Sequence, residues 1–278
     1  MSSASRRRPP SRTVLLDRAL EALPLFRLSD SSEDSVAAFT TDSGGRWRVL
    51  PAPDDRLPGT FDQDVYVELM RRYHEAEQPA DGAITFTLHA FLRSMGRRVD
   101  GRTYEQLRGA LGRLERTVLE SDGAWLDARA TRPASTRFTL LSAVAIDRRR
   151  LTDREQLALF PALASNEPGE ARVVVAAPVR ANIAAGHTST LVAPTYFQLS
   201  SPVARRLYRL LAAFRGDSKE LVRLPLERLA EMLPLSQRYP SHLQRVLQPA
   251  HEMLIAAGLV RRADFVHESR VWTAEYQR

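Results

Sequence analysis

Seven polar side chains crowd one stretch near the C-terminus: Arg238, Tyr239, Ser241, His242, Gln244, Arg245 and Gln248. Their types suit recognition rather than bond-making. Arginine donates two hydrogen bonds to the major-groove edge of guanine, and glutamine pairs with adenine in the same way. Between them Leu243, Val246, Leu247, Ala250, Leu254 and Ala257 recur at helical spacing and make one apolar face. The polar set falls on the other face, near the helix start. Ser241 suits an N-cap, and Gly258 sits where a helix stops. An ordinary amphipathic helix with a solvated polar face carries the same pattern, so the rest of the chain has to decide.

Other chemistries lack their residues. A phosphate-binding loop needs a lysine after a glycine-rich turn, and the only lysine, Lys219, stands in RGDSKE. The six histidines (His74, His89, His187, His242, His251 and His267) show no HxH or HExxH spacing. There is no cysteine, which excludes disulfides, thiolate nucleophiles and cysteine zinc sites. Asp62 and Asp64 stand at a helix start, where carboxylates complement the helix dipole more often than they bind metal. Asp54 and Asp55 lie in a proline-rich loop. No catalytic residue, metal site or cofactor is expected, and the chain reads as a binding protein rather than an enzyme.

The composition supports a polyanionic partner. The chain has 278 residues, a formal net charge of +7 and a pI near 10.3. The excess is not spread evenly. Residues 93–116 hold seven arginines against Asp100, Glu105 and Glu115, and residues 200–278 hold thirteen basic residues against eight acidic ones. Residues 151–199 hold three arginines against four carboxylates. A basic surface concentrated in two segments is the footprint of a nucleic-acid binder. No apolar run is long enough to span a bilayer. Asp17 and Arg18 interrupt VLLDRALEAL after Arg6 to Arg8, so no signal-peptide core follows them. A cytoplasmic protein with no membrane partner is expected.

The elements that would position these residues read as an α+β fold. Residues 1–46 form a basic and polar tail, interrupted by LPLFRLSD (Leu23–Asp30), a short apolar patch suited to docking on a folded core, with ordered structure beginning near Trp47. A helix over Asp62–Ala76, a short strand ITFTL, a short helix HAFLRSM and a long helix RTYEQLRGALGRLERTVLE follow. ESDGAWLDARA and TRFTLLSAVAID then read as two strands. This is the order of a winged helix. Residues 151–170 read as a connector. The same order returns in SPVARRLYRLLAAF, LVRLPL, ERLAEML, the helix after Tyr239, and the strand pair GLVRRADF and SRVWTAEYQ. Two tandem winged-helix domains, 47–150 and 171–278, are therefore predicted. In the first, Arg97, Arg98, Arg102 and Arg108 are candidates for phosphate contact or a dimer surface. Tyr104 stands near the start of its long helix and joins them. Arg205, on the helix opening the second domain, is a further candidate. In the second, Arg245 and Gln244 are assigned to bases, and Arg238 and Tyr239 to phosphate.

Several runs together resemble a known family. They are LPLFRLS, LPGTFDQDVYVELMRRY, GRTYEQLRGALGRL, EPGEARVVV, LSSPVARRLYRLL and QRYPSHLQRVLQPAHEML. The chain resembles, over nearly its whole length, the plasmid replication initiators named replication initiator protein A. RVLQPA is similar to the RVLxPA run in the second winged helix of iteron-binding theta-type initiators, where it belongs to the DNA-reading helix. Glu252, Met253 and Leu254 here replace the EIN triplet of that pattern. The resemblance implies a protein that binds repeated sites in double-stranded origin DNA, helps melt adjacent DNA, and brings in the host initiator and helicase. It implies homodimers that repress their own gene and monomers that initiate. Two alternatives use the same elements: a winged-helix transcriptional regulator without an initiation role, and an adaptor whose winged helices bind proteins.

Overall fold

The computed structural model describes residues 12–28, 37–146, 170–214, 220–235, 237 and 239–277. Ordered structure begins long before Trp47. Strand β1 (Thr13–Asp17) alternates buried Val14 and Leu16 with half-buried neighbours, and it pairs antiparallel with β9 (Thr188–Val192). Asp17 then caps the one-turn helix α1 (Arg18–Glu21) by accepting from the Ala19 amide at 2.9 Å. The expected tail therefore contributes Val14, Leu16 and Leu20 to the core, and Leu23, Leu25 and Phe26 of the apolar patch join them as its sequence suggests. Its arginines and serines hid a short period-two strand.

Strands β2 (Ala37–Thr40), β3 (Arg46–Leu50), β5 (Val118–Asp127) and β6 (Arg132–Phe138) form one antiparallel sheet in that order. Gly45 lies against the backbone of Gly123 at a register shift in this sheet, and a side chain there would run into the Gly123 carbonyl. Helix α2 (Thr60–Glu75), strand β4 (Ala83–Thr87), helix α3 (Leu88–Ser94) and helix α4 (Gly101–Arg116) follow the predicted order. Their starts are capped locally. The Asp62 carboxylate accepts from the Gly59 amide at 2.6 Å, Thr87 accepts from Ala90, and Asp100 and Thr103 make a reciprocal box. Helix α4 stops at Arg116, three to four residues before the expected end. The β-branched Thr117 is its C-cap, and Val118 opens β5 instead.

Two expectations change here. The run TRFTLLSAVAID is two strands, because the chain leaves β6 at Phe138 and starts β7 (Leu141–Ile146) in a different sheet. Strand β8 (Glu170–Val175) pairs with both β4 and β7. The stretch expected as a connector thus joins two neighbouring strands of one sheet, and most of it lies outside the described residues. The pair that closes the first set of helices is β7–β8, and β5–β6 is an addition bound to β3.

Helix α5 (Ala177–Ala184), β9 and helix α6 (Ala193–Gln198) lead to helix α7 (Pro202–Phe214). Strand β10 (Leu221–Pro225), helix α8 (Leu226–Met232), helix α9 (Pro240–Ala256) and strands β11 (Arg262–Glu268) and β12 (Val271–Gln277) complete the chain. The two three-stranded sheets run β4-β8-β7 and β10-β12-β11. In each, the first strand of the set pairs with the last. The duplicated order is therefore matched by duplicated pairing.

One apolar cluster runs through both halves. Helix α7 is buried on every side from Ala204 to Ala213, although it carries three arginines. Burying a cation requires a partner, and each has one. Arg209 pairs with Glu21 at 2.8 Å. Arg206 donates to the Glu21, Leu23 and Met232 carbonyls at 2.9, 2.8 and 3.2 Å. Arg205 pairs with Asp64 at 2.5 Å. A second tie crosses the surface: Arg228 of α8 donates to the Thr40 carbonyl at 2.7 Å and lies 4.0 Å from the Phe39 ring centroid.

Candidate nucleic-acid interface

Helix α9 has the sidedness its sequence predicts. Leu243, Leu247, Ala250 and Leu254 are buried, and Val246 is half-buried. His242, Arg245, Gln248 and Pro249 are exposed. The cap differs from expectation. Tyr239 is the N-cap residue, Pro240 opens the helix, and Ser241 is an exposed residue of the first turn. Proline suits that place because its fixed φ is already helical and its missing N–H would have no helical partner. Ala257, predicted on the apolar face, is exposed at the C-cap, just before Gly258 at φ +67°.

The exposed face is unevenly committed. Arg245 makes no ion pair or hydrogen bond through its side chain among the described residues. Gln248 donates to Glu252 one turn on, at 3.0 Å. Gln244 is half-buried, and its amide nitrogen is shielded without a partner, so a rotamer change is needed before it reaches outward. Pro249 has no N–H to donate to the Arg245 carbonyl, so the helix loses that one bond on its exposed side. Tyr239 is 72% exposed, with its ring edge-on to His242. Arg238 lies outside the described residues.

A buried histidine holds α9 to the strand pair behind it. The His251 Nε2 and the Tyr276 hydroxyl are 2.9 Å apart, and the imidazole stacks on Phe265 at 4.8 Å. Burial pushes the His251 pKa down to about 4, against a weak upward pull from Asp264 and Glu252.

In the first half the predicted arginines divide. Arg98 is exposed, with a loose 3.4 Å contact to Asp100, and Arg102 is exposed. Arg108 pairs along its own helix with Glu105 at 2.5 Å. The Tyr104 hydroxyl lies 3.4 Å from the His89 Nδ1. Arg97 is tied at 2.6 Å to Asp64, the same carboxylate that holds Arg205. Asp64 also accepts from the Tyr196 hydroxyl at 3.0 Å. Burial pushes the Asp64 carboxyl up, and Arg205 and Arg97 pull it back down. Arg205 is thus corrected from a surface contact to a core residue. Its remaining donors go to the Leu199 and Phe197 carbonyls. Asp62 and Asp64 also separate in role: Asp62 caps α2 and receives Arg113 at 2.7 Å, whereas Asp64 is a counter-ion.

Sequence reasoning missed the buried network of Glu21, Asp64, Arg205, Arg206 and Arg209. The signal was present: arginines at 205, 206 and 209 fall on more than one side of an otherwise apolar helix, which cannot all be solvated. Among the described residues no group of three or more His, Asp or Glu side chains is placed to hold a metal ion. Among the same residues no helix is long and apolar enough to cross a membrane.

This architecture has relatives among solved structures. A crystal structure of domains 2 and 3 of RctB aligns with a TM-score of 0.58 at 13% identity, covering 94% of this chain and 98% of that one. The Pi initiator protein in complex with iteron DNA aligns at 0.55 and 12% identity, covering 97% of each chain. At such identities the likeness is one of fold. No curated protein matches the sequence. The model of the family described as replication initiator protein A matches residues 16–251. With that match spanning most of its 278 residues, the chain belongs to the replication initiator protein A family.

Proposed function

We propose that the protein is a sequence-specific double-stranded DNA-binding replication initiator built from two winged-helix units. The first unit centres on α2 to α4 with β4, β7 and β8, and the second on α7 to α9 with β10 to β12. The carrying observation is Arg245: it stands exposed, and without an ion pair among the described residues, on a helix whose opposite face is locked into the core. Such an arginine has two donors available for a guanine at no cost in broken ion pairs. Tyr239, Ser241 and His242 border the same helix start and contact backbone phosphate, as does Arg238. Gln244 reads an adjacent base after turning outward. Arg98, Arg102 and Arg108 of the first unit hold phosphate and position the complex without reading sequence. Arg97 and Tyr104 shape that surface from behind.

Membership of the initiator family and a fold shared with a protein crystallised on iteron DNA support an origin as the target. On this reading the protein binds directly repeated sites, promotes melting of adjacent AT-rich DNA, and recruits the host initiator and helicase. It represses its own gene as a homodimer. The test is a footprint on DNA upstream of its own gene, combined with permanganate reactivity. Protection of direct repeats with reactive thymines beside them is expected. Protection of a promoter alone, without melting, would favour a transcriptional regulator.

A further inference from the structure

The first helices of the two units meet through polar side chains. Helix α2 opens the first unit and packs on α4, and helix α7 opens the second and packs on α9. The angle between α2 and α7 therefore sets the angle between α4 and α9. Gln63 of α2 donates to the Pro202 carbonyl at 3.4 Å and accepts from Arg209 of α7 at 3.3 Å. Its neighbour Asp64 receives Arg205 of α7 at 2.5 Å and the Tyr196 hydroxyl of α6 at 3.0 Å. All five side chains are buried.

Stability is a poor reason for such a joint. The cost of taking charges out of water can exceed what their attraction returns, and well-packed apolar residues of similar volume hold as well or better. The two kinds of joint differ in direction. Apolar contact scales with area and tolerates sliding, whereas a hydrogen-bonded ion pair holds only within a narrow range of distance and angle. Asp64 carries one tie more. The Oδ2 that receives Arg205 also receives Arg97, from the turn between α3 and α4, at 2.6 Å. One carboxylate is thus bound both to the turn leading into α4 and to the helix behind α9.

We propose that Asp64 is a positioning residue for DNA binding: with Arg205 and Tyr196 it fixes the angle and offset between α4 and α9, and so decides which phosphates the first unit meets while α9 is on its bases. This rests on the DNA-binding reading above. The chain has no cysteine, so Gln106→Cys on α4 and Ala256→Cys on α9, both at exposed positions, place a single pair of nitroxide labels. Pulsed electron resonance then reads their distance distribution without DNA. The test variant makes the joint apolar, with Asp64→Leu, Tyr196→Phe and Arg205→Met together in the labelled full chain. It should melt cooperatively near the parent temperature, and its label distances should spread well beyond the parent's. In hydroxyl-radical footprints on the repeat duplex, the parent should protect two patches at one fixed separation. The variant should keep the patch of α9, while that of the first unit weakens and spreads over neighbouring sugars. The slope of log affinity against log salt should fall by about two as first-unit phosphate contacts are lost. A folded variant with the parent's distance distribution overturns the inference and leaves the DNA reading standing. A spread distribution with an unchanged footprint overturns the role in placing DNA, and so does proportional weakening of both patches, which marks a merely structural residue. If the parent protects no DNA, the DNA reading fails and this role with it. Should the triple variant not melt cooperatively, Asp64→Asn, which removes the charge and keeps an acceptor for Tyr196, carries the same comparison and the same outcomes.

Discussion

Arg245 and Arg205 are the same residue type on two amphipathic helices, and their environments give them opposite work. Arg245 is exposed and has no side-chain partner among the described residues, so its replacement costs little in folding. Arg245→Ala should weaken binding to the repeat by roughly 1–3 kcal/mol and binding to random duplex very little. Competition binding at one fixed salt concentration checks this. Equal losses on both duplexes would move base reading elsewhere. Arg205 is buried against Asp64, and removing it leaves a buried carboxylate with the half-buried Arg97 as its one cation and the Tyr196 hydroxyl as its other donor among the described residues. Arg205→Ala should therefore lower unfolding free energy by roughly 3–5 kcal/mol, the usual cost of stranding a buried charge. Urea denaturation reads that change. The exposed arginine was legible from the apolar period of its helix. The buried one was not, because period alone does not say that a second half of the molecule covers the polar side.

At the scale of elements, α9 and its hairpin are joined by a histidine that must stay neutral. The folded pKa of His251 is about 4, below its ordinary 6.5. The unfolded chain takes up this proton below 6.5 and the folded chain does not until about 4. The stability that His251 permits is thus full above 6.5 and is lost as pH falls from 6.5 to 4. Asp17 acts in the opposite sense over an overlapping range. Burial holds its carboxyl up to about 7, so its contribution is full below 3.8 and is lost as pH rises through 7. Comparing the parent with His251→Leu isolates the first effect: the acid-side decline should be smaller in the variant. A midpoint for His251 near 6 or above by NMR titration would contradict this account. In the first half, exposed Arg98 and Arg102 flank the start of α4. Replacing Arg98 and Arg102 together by alanine should lower the salt slope by about one to two and weaken all sequences alike. Arg97 is a poor test of that surface because its loss also disturbs Asp64.

At the scale of the whole molecule, the N-terminal residues and α7 form one joint. Glu21 is fully buried between Arg209 and Arg206, and β1 closes on β9 from the far half of the chain. Removing residues 1–20, which a reading of the tail as mobile would tolerate, deletes β1 and the core residues Val14, Leu16 and Leu20. That truncation should abolish a cooperative melt. Glu21→Ala in the full chain should cost roughly 3–5 kcal/mol by leaving Arg209 without its counter-charge. A truncated protein that melts and footprints like the parent would show that the joint is dispensable.

What the sequence determined by itself was everything carried by local pattern. The apolar period of Leu243, Leu247, Ala250 and Leu254 named α9 and its exposed face, and the repeated order of helices and strands named the α+β class. Those signals are local because a helix or strand exposes its period in a few consecutive turns. Pairing across distance was decided by the tertiary structure. Nothing near Glu170 marks it as the partner of Thr87, and nothing near Thr13 marks Val192. The fate of each arginine was decided there too. A guanidinium is a surface cation or a buried one according to whether a carboxylate from a distant element reaches it, and Asp64 reaches Arg205 across 141 residues of chain.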